Sequence, residues 1–207
     1  MNRKKDWILT WTGQEVNPFN MTVDQIDIRD IARALSMQCR YNGHISDFYS
    51  VAEHSILISY ALERDEYSLN TQKHGLLHDA SEAYIGDIPT PIKAQLSTVK
   101  MCENEIHKLV SEKFNIKDAP IVHEYDKRII SDERSAFIPL AESHWEWPYK
   151  KLNVLPVGMS PRTAEKNFLI RYCELFNEDY QVLRPSWDRE NPYPYNKGVG
   201  SRKRAGL

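Results

Sequence analysis

Apolar residues recur along this chain at helical spacing, and polar residues stand where capped helices would begin. Ile28, Ile31, Ala32 and Leu35 share one helical face, and Asp27 is placed to cap that helix. Ser50, followed three residues later by Glu53, reads as a capping box opening a run from Val51 to Leu62. A third helix is predicted from about Asn70 to Tyr84, with Gly86 where a C-terminal glycine ends helices. Pro89 and Pro91 then punctuate the chain. A long helix is predicted from near Pro91 to Phe114, turning Leu96, Val99, Ile106, Leu109 and Val110 inward. Pro120 permits a fifth helix through Ile121, Tyr125 and Ile129 and past Ala136. Ser160-Pro161, a cap followed by proline at the first helical position, starts a last one holding Phe168, Tyr172 and Phe176.

Strand signals are nearly missing: at most Trp7 to Thr12 forms a short extended piece, and no Asn-Gly or Asp-Gly hairpin is flanked by alternating segments. The expectation is an all-α fold, one domain over residues 1–207 with its core at about 24–180. After Tyr180 the chain turns irregular, with Pro185, Pro192 and Pro194 among Trp187, Tyr193 and Tyr195.

Composition narrows the class. A formal net charge of −2 argues against a protein that grips duplex nucleic acid, which would carry a basic excess or a basic face. The one basic cluster, Lys197, Arg202, Lys203 and Arg204, is short and reads as a solvated tail. Cys39, Cys102 and Cys173 are far apart and form no CxxC pair, so a reducing cytoplasm is expected rather than a disulfide framework or thiolate zinc site. Met1 to Lys5 is basic but no apolar segment follows it, and no stretch approaches the ~20 apolar residues of a membrane span.

The chemistry concentrates in His54, the adjacent pair His78-Asp79, and Asp126, each on a predicted helix. Imidazole nitrogens and carboxylate oxygens together suit a borderline divalent ion such as Mn, Fe, Co, Ni or Zn. Two histidines and two aspartates leave coordination positions open, as a catalytic site requires. Glu82 lies four residues after His78 and three after Asp79, on the same side of the helix, and Asp87 follows in a turn. Two such carboxyl groups could divide the work of general base and general acid. Other features read more plainly. His74 and His78 stand one turn apart as in zinc proteases, but Gly75 sits where that motif needs glutamate, leaving His74 a helix-face residue. His107, His123 and His144 could in principle build a second metal site, but their irregular spacing favours surface or packing roles. Trp145, Trp147, Phe168, Tyr172 and Phe176 read as core, with Trp145 a candidate for the edge of a pocket.

The ordered run His78-Asp79-Ala80-Ser81-Glu82, then Gly86-Asp87-Ile88-Pro89-Thr90-Pro91-Ile92-Lys93, resembles the signature of the YfbR-like 5'-deoxynucleotidases of the HD superfamily. So does Ser50-Val51-Ala52-Glu53-His54-Ser55, preceded by Arg40-Tyr41-Asn42-Gly43-His44. The resemblance runs from about Ile28 to Phe137. It implies an HD-domain helical bundle around a central divalent metal ion (Mn, Co, Zn, Fe or Mg) held by His54, His78, Asp79 and Asp126. Asp126 is preferred to nearby Asp132 because Val122 to Arg128 better matches the family's stretch, although Tyr125 replaces a small residue. By the same resemblance Glu82 acts on the attacking water and Asp87 is the second catalytic acid. Arg40 contacts phosphate, and Tyr41 stands where the namesake has tryptophan beside sugar or base. Lys93 is a further candidate for neutralising phosphate, or an exposed lysine after a proline turn. The implied substrate is a 5'-deoxynucleoside monophosphate, and the implied assembly a homo-oligomer. Phage HD enzymes that hydrolyse deoxynucleoside triphosphates, dATP among them, are also similar. A non-catalytic nucleotide sensor would show a broken residue set, whereas this one is intact.

Overall fold

The computed structural model describes residues 6–138 and 148–188. Met1 to Lys5, His144, Trp145, Trp147 and the tail with Pro192, Tyr193, Pro194, Tyr195, Lys197, Arg202, Lys203 and Arg204 lie outside the described residues. A short antiparallel pair, β1 (Ile8–Leu9) and β2 (Glu15–Val16), sets Ile8 opposite Val16 and Leu9 opposite Glu15. Asp30 ties its turn down, accepting from the Thr12 N–H and hydroxyl, each at 2.7 Å. Among the described residues the rest is helix and connection, apart from one isolated antiparallel bridge between Cys39 and Ser50. Asp27 caps α1 (Ile28–Met37) by accepting from the Arg29 N–H, and the predicted face of Ile28, Ile31, Ala32 and Leu35 is buried.

Ser50 caps α2 (Val51–Arg64) through the Glu53 N–H at 3.1 Å, but the return half of the capping box is not made. Glu53 is fully buried and accepts instead from the backbone N–H groups of Val157, Gly158 and Met159, at 2.8, 3.1 and 2.5 Å. A buried carboxylate needs several donors, and that segment supplies three. Glu53 thereby straps residues 157–159 across the start of α2.

The predicted third helix divides into α3 (Leu69–Leu77) and α4 (Glu82–Ile85). Between them the chain tightens to i→i−3 bonding: Ala80 to Leu77, Glu82 to Asp79, Ala83 to Ala80 and Tyr84 to Ser81. Gly86, at φ +86°, ends α4 as expected. The predicted long helix also divides, into α5 (Thr90–Lys93) and α6 (Ser97–Phe114). The restart at Ser97 resets the helical phase. Cys102, Ile106 and Val110, four residues apart, are buried, whereas Leu96 is exposed and Val99 and Leu109 are half-buried. α7 (Ile121–Phe137) and α8 (Pro161–Phe176) begin and end near their predicted limits, and Ser160 caps α8 through the Thr163 N–H. After α9 (Tyr180–Leu183), the Trp187 indole N–H donates to Glu165 at 2.8 Å, docking that aromatic onto α8.

Two apolar clusters meet on α2. One gathers Val16, Ile31, Leu35, Ile56, Leu76, Ile106 and Phe168 from β2, α1, α2, α3, α6 and α8. The other sets Ile58 and Leu62 against Val122, Tyr125 and Ile129 of α7. Each fully buried large aliphatic side chain contributes about 1.5–3 kcal/mol. Gly75 lets α3 lie close on α2: a Cβ there would come within 2.5 Å of Leu62 Cδ1 and 3.3 Å of Ile58 Cγ2. Glycine at this position thus has a packing reason, and the close approach helps bring α2's histidine to the end of α3.

Candidate metal centre

α2 carries His54, fully buried; the turn after α3 carries His78 and Asp79; α7 carries Asp126. His54 Nε2 lies 3.3 Å from His78 Nε2 and 3.2 Å from Asp126 Oδ1, and the His78 Nε2 to Asp126 distance is 4.0 Å. These three residues form a group whose ligand atoms all lie within 4.8 Å of one another. Asp79 Oδ2 is 3.6 and 3.2 Å from the two Nε2 atoms.

Both rings are oriented from behind. His54 Nδ1 is 2.7 Å from Glu133 Oε1, and His78 Nδ1 is 2.9 Å from the Gly75 carbonyl oxygen. With Nδ1 of each ring turned to an oxygen acceptor, the two Nε2 atoms face each other across 3.3 Å, the side from which each ring would ligate an ion. Two facing Nε2 atoms with carboxylates beside them suit a shared cation. Donors about 2.1 Å from one divalent ion stand about 3.0–4.2 Å apart, so these separations suit one.

The electrostatics point the same way. Burial and Arg40 oppose a proton on His54, but Glu133 and Asp126 outweigh them and lift its pKa to about 9. Burial also opposes ionisation of Asp79, yet His78, His54 and Arg40 hold it far below the ordinary carboxylate range. Asp126 is likewise lowered, His54 and His78 overcoming its burial. A positive ion is the natural complement of this set.

Arg40 and Tyr41 form the adjoining wall. Arg40 Nη1 is 3.7 Å from Asp79 and Nη2 is 3.4 Å from Glu133, while its Nε is buried and hydrogen-bonds to no protein atom. Tyr41 donates its hydroxyl to Glu133 Oε2, and its ring lies 5.5 Å from the Arg40 guanidinium. Its backbone is left-handed, as is that of Asn42, at φ +56° and +54°. Such positions are strained for non-glycine residues and concentrate at functional sites.

Glu82 is buried, with Oε2 free of any protein partner. Burial, with Asp79 and Asp87 close by, pushes its carboxyl up to about 10; Lys93, 3.6 Å from Oε1, is too distant to offset this. Asp87 is raised too, chiefly by burial. Gln38 fixes their spacing: its amide donates to the Glu82 carbonyl at 2.9 Å, and its oxygen accepts the Asp87 N–H at 2.8 Å. Lys93 also bonds Glu103.

Asp132 accepts from the backbone N–H groups of Leu152 and Asn153 at 2.7 and 3.2 Å, so it shapes a loop away from the centre. His74 accepts the Ala119 N–H at 3.0 Å, and His107 hydrogen-bonds Ser81 at 3.0 Å; both hold elements together. His123 joins His107, Lys108 and Asn104 around a cavity of about 960 Å³, whose wall also includes His78, Asp79 and Asp126. Sequence reasoning missed Glu133, which lies seven residues after Asp126 on the same side of α7. That spacing is the one signal that could have found it.

No family model matches the chain. Three relatives do. Uncharacterized protein YfdR of Escherichia coli is 39% identical over 179 residues, covering 82% of this chain and 95% of that protein. A Rhodobacter capsulatus protein, also named as uncharacterized, is 36% identical over 97 residues, covering 45% of this chain and 50% of its own. A 5'-deoxynucleotidase of Pectobacterium atrosepticum is 32% identical over 160 residues, covering 67% of this chain and 79% of that enzyme. Among the described residues no helix is long and apolar enough to cross a membrane. The helical bundle, its clustered His54, His78 and Asp126, and a likeness that runs nearly the length of YfdR lead to one conclusion: this chain belongs to the HD-domain superfamily, in one family with YfdR.

Proposed function

We propose that this protein is a divalent-metal-dependent phosphohydrolase that releases phosphate from 5'-deoxynucleoside monophosphates. The observation that carries the reading is the pair of Nε2 atoms facing each other at 3.3 Å beside Asp126 and Asp79, each ring held from its Nδ1 side. The Pectobacterium relative, named a 5'-deoxynucleotidase, directs that chemistry toward nucleotides. His54, His78, Asp79 and Asp126 would hold the ion. When bound, a divalent ion there lowers the pKa of water and neutralises charge on a phosphoryl group.

The chain's own residues supply the rest. Arg40 Nε, a buried donor lacking a protein partner, meets a phosphate oxygen, with Lys93 adding positive charge nearby. Glu82 Oε2, a buried acceptor lacking a protein partner, would take the proton that water loses as its oxygen bonds to phosphorus, once a divalent ion beside Asp79 offsets the charges that raise the Glu82 carboxyl. Asp87, whose carboxyl burial raises toward the acid form, is the group to give a proton to the 5' oxygen as the phosphorus–oxygen bond breaks. The products are a deoxynucleoside and inorganic phosphate. The cavity beside His78 and Asp126, about 960 Å³, is of a size that accepts a nucleotide.

That volume also favours a second reading, hydrolysis of deoxynucleoside triphosphates, because it exceeds what a monophosphate fills and Lys108 lies in its wall. Product analysis separates the two. Metal-stripped protein reloaded with Mn, Co, Zn or Mg is offered deoxynucleoside mono-, di- and triphosphates. Inorganic phosphate from monophosphates alone is the expected result. Tripolyphosphate from dATP would move the assignment to the triphosphate reaction, and bound ion without turnover would make it a sensor.

A further inference from the structure

We infer that Glu133 is a positioning residue that sets both halves of the site at once, aiming His54 at the metal and holding Arg40 and Tyr41 where they meet phosphate. The phosphate half rests on the function proposed above; the metal half does not. Glu133 is fully buried, two helical turns beyond Asp126 on α7, and its two oxygens are divided between the two tasks. Oε1 faces His54 Nδ1 at 2.7 Å, which fixes the proton there and leaves Nε2 as the donor atom. Oε2 accepts from the Tyr41 hydroxyl and lies 3.4 Å from Arg40 Nη2.

The second task is visible in the backbone. Tyr41 and Asn42 both hold left-handed conformations that a side chain resists, followed by Gly43 at φ +78°. The Tyr41–Glu133 bond is a tie that holds this strained turn inward against α7, and the turn carries Arg40 with it. Arg40 has no tight bidentate carboxylate partner. Its contacts with Asp79 and Glu133 are 3.7 and 3.4 Å, so it is oriented by charge on both sides while its Nε stays available.

A carboxylate can accept on both oxygens; an amide cannot. In Glu133→Gln, an amide oxygen turned to His54 leaves an NH2 group against the Tyr41 hydroxyl and the Arg40 guanidinium. Turned the other way, it confronts the Nδ1 proton. A glutamate that merely filled space would tolerate this nearly isosteric change. Metal affinity is read by competition between the full-length protein and a chromophoric chelator. Phosphate affinity is read with inorganic phosphate on protein saturated with metal. Glu133→Gln is expected to weaken metal binding by about 10–100-fold and to weaken phosphate binding as well. Tyr41→Phe is expected to weaken phosphate binding several-fold and leave metal affinity unchanged. Wild-type metal affinity in folded Glu133→Gln would overturn the proposal. So would Tyr41→Phe losing as much metal affinity as Glu133→Gln. Should Glu133→Gln fail to fold, the wild-type protein decides: in its zinc-loaded form, long-range ¹H–¹⁵N spectra are expected to show the His54 proton on Nδ1, and a proton on Nε2 would overturn the proposal. Neither the metal nor the tautomer measurement needs a substrate, so a protein inactive on every nucleotide would refute the nucleotidase reading while leaving Glu133 to be judged by them.

Discussion

At the scale of single residues the proposed function separates groups that would hold an ion from groups that would use it. Asp126 touches both imidazoles, so Asp126→Ala is expected to lose bound metal and turnover together; stoichiometric metal retained by the variant would remove it from the ligand set. Glu82 is 3.6 Å from Lys93 and lies beside Asp79 without touching either imidazole in the contacts described. Glu82→Gln is therefore expected to keep its metal and its fold while kcat falls about 10²–10⁴-fold, the usual contribution of a proton-transferring group. Normal turnover would show that the proton goes elsewhere. His54, His78, Asp79, Asp126 and Glu82 were legible in the sequence as candidates because spacing and neighbouring residues mark them, and the fold gathers His54, His78 and Asp126 into one group. Glu133 could not, because nothing in a run of charged residues on α7 shows which carboxylate is buried until α2 is packed against it. Tyr41 was legible as a position, but the tie from its hydroxyl to Glu133 was not. Its inward turn depends on two left-handed residues and on the acceptor that the sequence had left unnoticed.

At the scale of elements, caps and apolar spacing placed α1, α2, α7 and α8 within a residue or two, since each is a continuous amphipathic run with a local stop signal. The breaks after Leu77 and Lys93 were not legible, because every residue there tolerates a helix and the interruption comes from tertiary demands. Gly75 is where those demands are tightest. Gly75→Ala would gain about 1 kcal/mol of helix propensity but force a methyl group to 2.5 Å from the fully buried Leu62. Overpacking of this kind costs about 1–3 kcal/mol, so a net fall in Tm is expected; an unchanged or higher Tm would mean that Leu62 has room to move. The far end of α2 carries a pH-sensitive tie to α7. Arg64 and the Tyr125 hydroxyl, the latter 2.5 Å away, hold Asp65 down at about 2 against an ordinary 3.8. A lowered folded-state pKa adds stability that is fully present above about pH 4 and is lost as pH falls toward 2. Asp65→Asn should flatten the acid limb of Tm against pH in that window, and an unchanged limb would place the acid sensitivity in other groups.

At the scale of the whole molecule, both apolar clusters lean on α2, and the helix that joins them also carries His54 at the centre. An ion bound across α2, the turn after α3, and α7 would therefore brace elements from both clusters. A ligand that binds only the folded state, at one hundred times its Kd, adds about 2.7 kcal/mol. For a chain of this length that corresponds to a rise in Tm of about 5–10 °C. A Tm indifferent to saturating ion would show that no such brace forms. Fold class and the coupling of the metal motifs were readable from the linear sequence. The size of the cavity beside His78 and Asp126 was not, because its walls come from α3, α6 and α7, separated by dozens of residues. The most direct test of the proposed metal-dependent nucleotidase activity is phosphate release from a 5'-deoxynucleoside monophosphate by the same protein sample, first stripped of metal and then reloaded. The expected result is no turnover when stripped and turnover restored in proportion to divalent ion bound, one ion per chain. Turnover that survives stripping, or none with any ion despite full occupancy, would contradict it.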